Sequence, residues 1–283
     1  LRRVTFVFYL KKNKKRMLAL CLSAALSVGS LTVYAATEQW NDASLTPAFT
    51  TKTAVSEHTD WADWKANWDK IKTNYEQVAL IPGSDFSKLN FGWYSKEKAN
   101  EAVVRIADNK DMKNAKEFKG TCTEGTVING VQYYSNKVTA DGFEPNTTYY
   151  YQVKLNGKWQ QAHEYKTGDP HNFSFMYVGD PQIGASKGQV PNESAVEQSE
   201  DVAARNDAYN WNKTLNSALA QHPEINFLVS PGDQINEPAG NNAEKHLLQE
   251  YEYSGYLSAT AFRNLPQAVA IGNHDCLTTS YQN

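Results

Sequence analysis

Three stretches of this chain join an apolar run to side chains able to do chemistry. Phe175-Met176-Tyr177-Val178 leads into Gly179-Asp180, and Phe227-Leu228-Val229-Ser230-Pro231 into Gly232-Asp233. Ala268-Val269-Ala270-Ile271 leads into Gly272-Asn273-His274-Asp275. A buried parallel strand ends this way when its tip must present ligands or a proton donor. Two carboxylates, an amide oxygen and an imidazole in one crevice make an oxygen-rich site suited to hard divalent cations, beside a proton donor. A carboxylate shared by two cations suits in-line displacement at phosphorus. The glycine ahead of each ligand is expected to clear space for an approaching phosphate. Taken singly, a Gly-Asp pair reads as a turn, and Gly-Asn-His-Asp as a turn with a helix cap. Their recurrence in order, each after an apolar run, points to a site.

The elements that must position these tips follow from periodicity. Beyond Gly168-Asp169-Pro170 the chain alternates strand and helix: strands at 173–179, 225–230 and 267–271, and helices at about 201–221 and 243–263. Ala204, Ala208, Trp211, Leu215, Ala218 and Leu219 share one face of the first helix. Strands separated by helices of this length imply crossovers and a mostly parallel sheet, with ligands outside the carboxyl ends of its strands. Residues 181–200, rich in Gly, Pro, Ser, Asn and Glu, read as a long functional loop.

Ahead of this lies a different pattern. Trp61, Trp64, Trp68, Ile71, Tyr75 and Val78 recur at steps of three and four, an aromatic stripe expected to pack on a neighbouring domain. From Val78 the period becomes two, with strands at 77–81, 89–94, 102–107, 133–140 and 149–155. Asn156-Gly157 is a tight-hairpin signal, after which Trp159–Thr167 is expected to pair. Short strands of this kind suggest an antiparallel sandwich. The run from Gly142 through Pro145 to Tyr149-Tyr150-Tyr151 resembles the approach to a late strand in fibronectin type III modules, where a tyrosine closes a corner.

The chain has 283 residues and is 41% hydrophobic, enough for two domains with cores. Seven of its first 16 residues are basic, and no acid precedes Glu38. Lys11–Arg16, the apolar run Met17–Val33 and the small residues around Ala35-Ala36 read as a secretory signal, giving a secreted or envelope-associated protein. Without those seven, 21 basic residues face 31 acidic ones, a balance that argues against nucleic-acid binding. No membrane span is expected once the signal is cleaved, and the oligomeric state is not legible. Cys122 and Cys276 fall in different domains and are expected as separate thiols.

Gly179-Asp180-Pro181-Gln182, Gly232-Asp233 and Gly272-Asn273-His274-Asp275 resemble the first three motifs of the calcineurin-like metallophosphoesterases. With a sandwich in front, the resemblance is to their purple acid phosphatase-like branch, and it covers about 78–283. The expected organisation is a signal peptide and upstream extension at 1–36 and a linker with the aromatic helix at 37–77. An all-β fibronectin III-like sandwich follows at 78–168. The first part of an α/β metallophosphoesterase domain, layered α-β-β-α, then occupies 169–283.

The resemblance implies two divalent cations (Mn, Fe, Zn or Mg), a phosphate ester substrate and attack by a metal-activated water. Asp180 would bind the first metal, Asp233 bridge both, and Asn273 bind the second. His274 would protonate the leaving oxygen or stabilise the transition state, with Asp275 able to orient it. Two departures stand out. Asn236 occupies the position of the iron-binding tyrosine of the purple enzymes, so no ferric-tyrosinate colour is expected. Gln182 stands where those enzymes have glycine and many relatives a histidine ligand. It either supplies an amide oxygen to the first metal or only hydrogen-bonds a neighbour. The later histidine ligands of the family have no counterpart in this sequence, and His58, His163, His171, His222 and His246 are not placed to replace them. The sequence thus reads as the N-terminal part of a phosphoester hydrolase, incomplete and inactive alone. A nucleotidase or phosphodiesterase of the same superfamily is an alternative, as is an exported surface-binding protein with an inert catalytic remnant.

Overall fold

A computed structural model describes residues 7–11, 61–187, 199–238 and 242–276. Two sheets organise them. The larger contains strands β2 (Val78–Pro82), β3 (Lys88–Ser95), β4 (Ala102–Ala107), β5 (Lys116–Ile128), β6 (Val131–Asp141), β7 (Thr148–Leu155), β8 (Lys158–Trp159) and β9 (His163–Lys166). Its order is β2-β3-β6-β5-β4-β7-β8, with β9 also on β7, and its named pairings are all antiparallel. β5 joins its two halves. Lys116–Gly120 pairs with β4, and Thr121–Ile128 pairs with β6. At this corner the backbones pass so closely that a Cβ on Gly120 would lie 1.9 Å from the Lys137 carbonyl oxygen.

Alternation decides which side chains meet inside. β3 reads buried and half-buried by turns, placing Leu89, Phe91 and Trp93 in a core with Leu80, Val104, Val138 and Val153. The Asn156-Gly157 hairpin forms as expected, both residues having positive φ (47° and 75°). The tyrosine corner forms too: the Tyr149 hydroxyl accepts a hydrogen bond from Glu144 N at 2.9 Å, and its ring meets Phe143 edge-on.

The second sheet has the order β1-β10-β11-β12, made by β1 (Val7–Lys11), β10 (Ser174–Val178), β11 (Ile225–Ser230) and β12 (Gln267–Val269). β10, β11 and β12 run parallel. Helix α2 (Glu200–Gln221) crosses from β10 to β11. Helix α3 (Ala243–Leu257) and a 3-10 turn (Thr260–Arg263) cross from β11 to β12. Ser199 caps α2 by accepting from Val202 N, and Asn242 caps α3 by accepting from Glu244 N and Lys245 N. The second helical segment is thus shorter than the 243–263 expected, because it tightens into the 3-10 turn beyond Ser258.

The first four residues of the aromatic stripe lie buried on α1 (Trp61–Lys72), whereas Tyr75 and Val78, half-buried, fall beyond its end, Val78 opening β2. Trp61, Trp64, Trp68 and Ile71 share a core with Met176, Val178, Leu215 and Leu228. Trp64 Nε1 donates to the Arg205 carbonyl and Trp68 Nε1 to Asp201, so each indole N–H is satisfied on α2. Both domains meet directly: Gln77 donates to Ser254 O at 2.8 Å and Tyr151 Oη to Arg263 O at 2.6 Å.

β1 falls within the segment expected to be a leader extension, yet here it pairs antiparallel with β10, Val7 opposite Val178. The signal segment and linker at 12–60, and most of the loop at 188–198, lie outside the described residues. Among the described residues no helix is long and apolar enough to cross a membrane. Cys122 and Cys276 are free thiols.

Candidate metal centre

The three tips converge by backbone pairing before any side chain acts. Beyond β10, Gln182 N donates to Asp233 O (2.9 Å) and Ile183 N to Gln234 O (3.1 Å). Asn236 N returns a bond to Ile183 O at 3.0 Å. Ile183 and Ile235, both fully buried, form an isolated parallel bridge that pins the first two tips together. On the other flank Ala270 N donates to Ser230 O, and His274 N donates to the Asp233 carboxylate Oδ1 at 2.9 Å. Asp233 is thus the hub, bonded to the first tip through its carbonyl and to the third through its carboxylate.

Backbone conformation marks the same residues. Asp180, Gln182 and Asp233 have φ of 46°, 40° and 53°, in the left-handed region. Side chains adopt it only when surrounding contacts over-determine it, and such residues cluster at functional sites.

Gly232 and Gly272 do not have the expected role. A Cβ on Gly272 would lie 2.0 Å from Asp233 Oδ1, and one on Gly232 would lie 2.5 Å from Gly272 N. They clear space for each other's loop, not for a phosphate. Gly179 has only ordinary contact with Pro231.

Asp275 also differs from expectation. It is 1% exposed and does not orient His274. Its Oδ2 accepts from Asp233 N (2.7 Å) and Gly272 N (2.9 Å), its Oδ1 from Gln234 N (3.1 Å) and Tyr253 Oη (3.0 Å). It is a clamp between the second and third tips. The ring partner of His274 is the Asn236 carbonyl, which faces Nδ1. A carbonyl only accepts, so Nδ1 carries the hydrogen and Nε2 is the nitrogen left to exchange a proton.

Of the residues expected to hold metal, Asp180 and Asn273 are exposed, while Gln182 and Asp233 are 5% and 8% exposed. Among the described residues the hydrogen bond to the Asp233 carboxylate is made at Oδ1 and none is found at Oδ2. The donor chemistry, two carboxylates and two amides, fits hard divalent ions. It is sparse: among the described residues no three of His, Cys, Asp and Glu are grouped to hold a metal. His163 packs on Tyr151 from β9, His222 caps α2, and His246 lies in the first turn of α3, while His58 is outside the described residues. A cleft of about 790 Å³ is lined by Trp93, Lys137, Gln234, Tyr253 and Val269.

Glu252 on α3 is a buried acid that periodicity did not single out. Burial is the main cause that pushes its carboxyl well above the usual 4.5, with the charges of Glu237 and Asp207 adding to it. Hydrogen bonds from the Glu237 and Asn236 amides oppose the shift. The folded state therefore binds more protons than the unfolded chain above that usual value, and this group's contribution falls as pH rises. Glu252→Gln, uncharged throughout, is expected to be more stable than wild type near pH ~7, with the advantage vanishing near pH ~4. Urea melts at both pH values measure it; equal differences at the two would contradict a proton held by Glu252.

Comparison with known proteins bears on the first domain. Residues 75–167 match the family model of the purple acid phosphatase N-terminal domain. No curated protein matches the chain. A solved purple acid phosphatase from yellow lupin (Lupinus luteus) seeds matches with a TM-score of 0.46 and 16% identity, over 70% of this chain and 35% of that one. The chain therefore spans about a third of the length of that protein. Residues 75–167 are thus similar to a purple acid phosphatase N-terminal domain, which supports a purple acid phosphatase-like branch carrying such a domain.

Proposed function

We propose that the protein is an exported metal-dependent phosphoester hydrolase whose centre is assembled at the tips of β10, β11 and β12. The observation that carries this reading is the placement of Asp233. It binds the first tip by its carbonyl and the third by Oδ1, and its Oδ2 would take a cation. Asp180, Gln182, Asp233 and Asn273 would hold divalent cations, with further ligands needed to complete two coordination shells. When bound, such cations polarise water and a phosphoryl oxygen.

This chain's own residues do the rest. The Asn236 carbonyl keeps hydrogen on Nδ1 of His274, so that Nε2–H of the imidazolium is the proton offered to a leaving oxygen. Asp275 holds the Asp233 and Gln234 amides, and with them the direction of the Asp233 side chain. The rival role as a surface-binding protein has less support, because the tryptophans of α1 are buried.

For the full-length protein, hydrolysis of p-nitrophenyl phosphate with added Mn or Zn is expected. It should fall by about 10²-fold or more in Asp233→Asn and in His274→Ala. Activity unchanged in both variants would refute the assignment.

A further inference from the structure

Glu252 takes no part in the chemistry proposed above, yet it is 1% exposed and bonded directly beneath the site. Its Oε2 accepts from Asn236 N at 3.0 Å and from Glu237 N at 2.8 Å. Its Oε1 lies over Gly184, where a Cβ would come within 2.1 Å. Gly184 has φ +106° and is further held by its backbone N–H, which donates to Asp207 Oδ2 at 2.9 Å.

The bond to Glu237 N bears directly on His274. The Glu237 N–H and the Asn236 carbonyl belong to one peptide unit, which is planar and trans. They point in opposite directions across that plane. Holding the N–H on the α3 side aims the carbonyl at the other side, where it meets Nδ1 of His274. A hydrogen bond on the N–H also polarises the carbonyl and strengthens it as an acceptor.

We propose that Glu252 is a positioning residue for His274: it sets the Asn236–Glu237 peptide plane, which in turn keeps the imidazole in its Nδ1–H form. The inference rests on His274 having the role proposed above, but its geometry does not depend on metal or substrate. Gly184 belongs to the same device, since only a residue without a side chain lets the carboxyl reach the turn from α3.

The test is the tautomer of His274, read in the full-length protein labelled with ¹⁵N-histidine by long-range ¹H–¹⁵N correlation and assigned with His274→Ala. Wild type and Glu252→Gln, whose amide oxygen can accept the same two N–H bonds, are expected to show the Nδ1–H pattern. Glu252→Ala and Gly184→Ala are expected to shift toward the Nε2–H pattern. Amide exchange in β10 and β11 identifies the variants that keep the sheet. If Glu252→Ala does not fold, Gly184→Ala decides, and if neither folds, a loss of the Nδ1–H pattern in Glu252→Gln overturns the proposal while its retention sustains it. An unshifted pattern in either folded alanine variant also overturns it. The two readings fail separately. A Glu252-dependent tautomer in a protein with no hydrolytic activity removes the hydrolase and keeps the positioning role, whereas hydrolysis with a Glu252-independent tautomer does the reverse.

Discussion

Asp275→Ala is expected to destabilise the protein by about 4 kcal/mol, because four donors lose a buried, charged acceptor and each such orphan costs about 1–3 kcal/mol before water or relaxation offsets part of it. The donors are Asp233 N, Gln234 N, Gly272 N and Tyr253 Oη. They come from the second tip, the third tip and α3, so the loss is tertiary and no single element can repair it. Asp275→Asn keeps one oxygen. With its amide nitrogen turned toward Tyr253, whose hydroxyl can rotate to accept, only Gln234 N is left facing a donor. A loss of about 2 kcal/mol is expected there. In urea, with a slope of about 2 kcal/mol/M, the midpoints should fall by about 2 M and 1 M. Amide exchange at Asp233 and Gln234 should quicken in both. Two variants of equal stability, or an alanine variant within about 1 kcal/mol of wild type, would remove Asp275 as a clamp.

Gly272→Ala is expected to disable the site more selectively. The new Cβ would lie 2.0 Å from Asp233 Oδ1, 2.3 Å from Asp233 N and 2.7 Å from its Cγ. No real Cβ makes such contacts, so Asp233 must move, and the His274 N–Oδ1 bond breaks with it. Overpacking of this kind costs about 1–3 kcal/mol, within the margin of a stable domain. The folded variant is therefore expected to keep its sheet while losing Mn binding, read by the free-ion EPR signal, by about 10-fold or more. An unperturbed His274 amide resonance in Gly272→Ala would contradict the close approach of the two tips. Gly232→Ala should be worse, because that position combines φ +130° with a Cβ 2.5 Å from Gly272 N.

Most strands were legible because their periods were strong. β3 alternates cleanly, β4 falls at 102–107 as expected, and β10 and β11 are apolar runs ending in glycine-acid tips. β5 was not expected at all, although at 13 residues it is the longest strand described. Its sequence, Lys116–Ile128, carries charges and threonines on both faces, and it spans two halves of the sheet without burying one face throughout. A turn signal did precede β6. Asn129-Gly130, with φ of 48° and 77°, closes the β5–β6 hairpin as Asn156-Gly157 closes the next. The residues after Trp159 do pair with β7: Gln160 N donates to Val153 O, and the ladder resumes at His163 as β9.

The sequence alone determined the chemistry on offer: which oxygens and which imidazole stand at strand ends, and that the strands before them are buried. These are local properties, carried by the order of apolar and polar residues over six or seven positions. Tertiary structure alone decided the partners. Asp275 sits beside His274 in the chain but turns to Asp233 and Gln234, some forty residues away. The Gly232 and Gly272 backbones meet each other, and Glu252 reaches from a helix to hold a peptide plane. Hydrogen-bond partners across such separations depend on how separate backbone segments cross, and no pattern along one segment encodes the crossing. Hence the sequence named the candidate ligands, and the fold showed how the segments that carry them are held together.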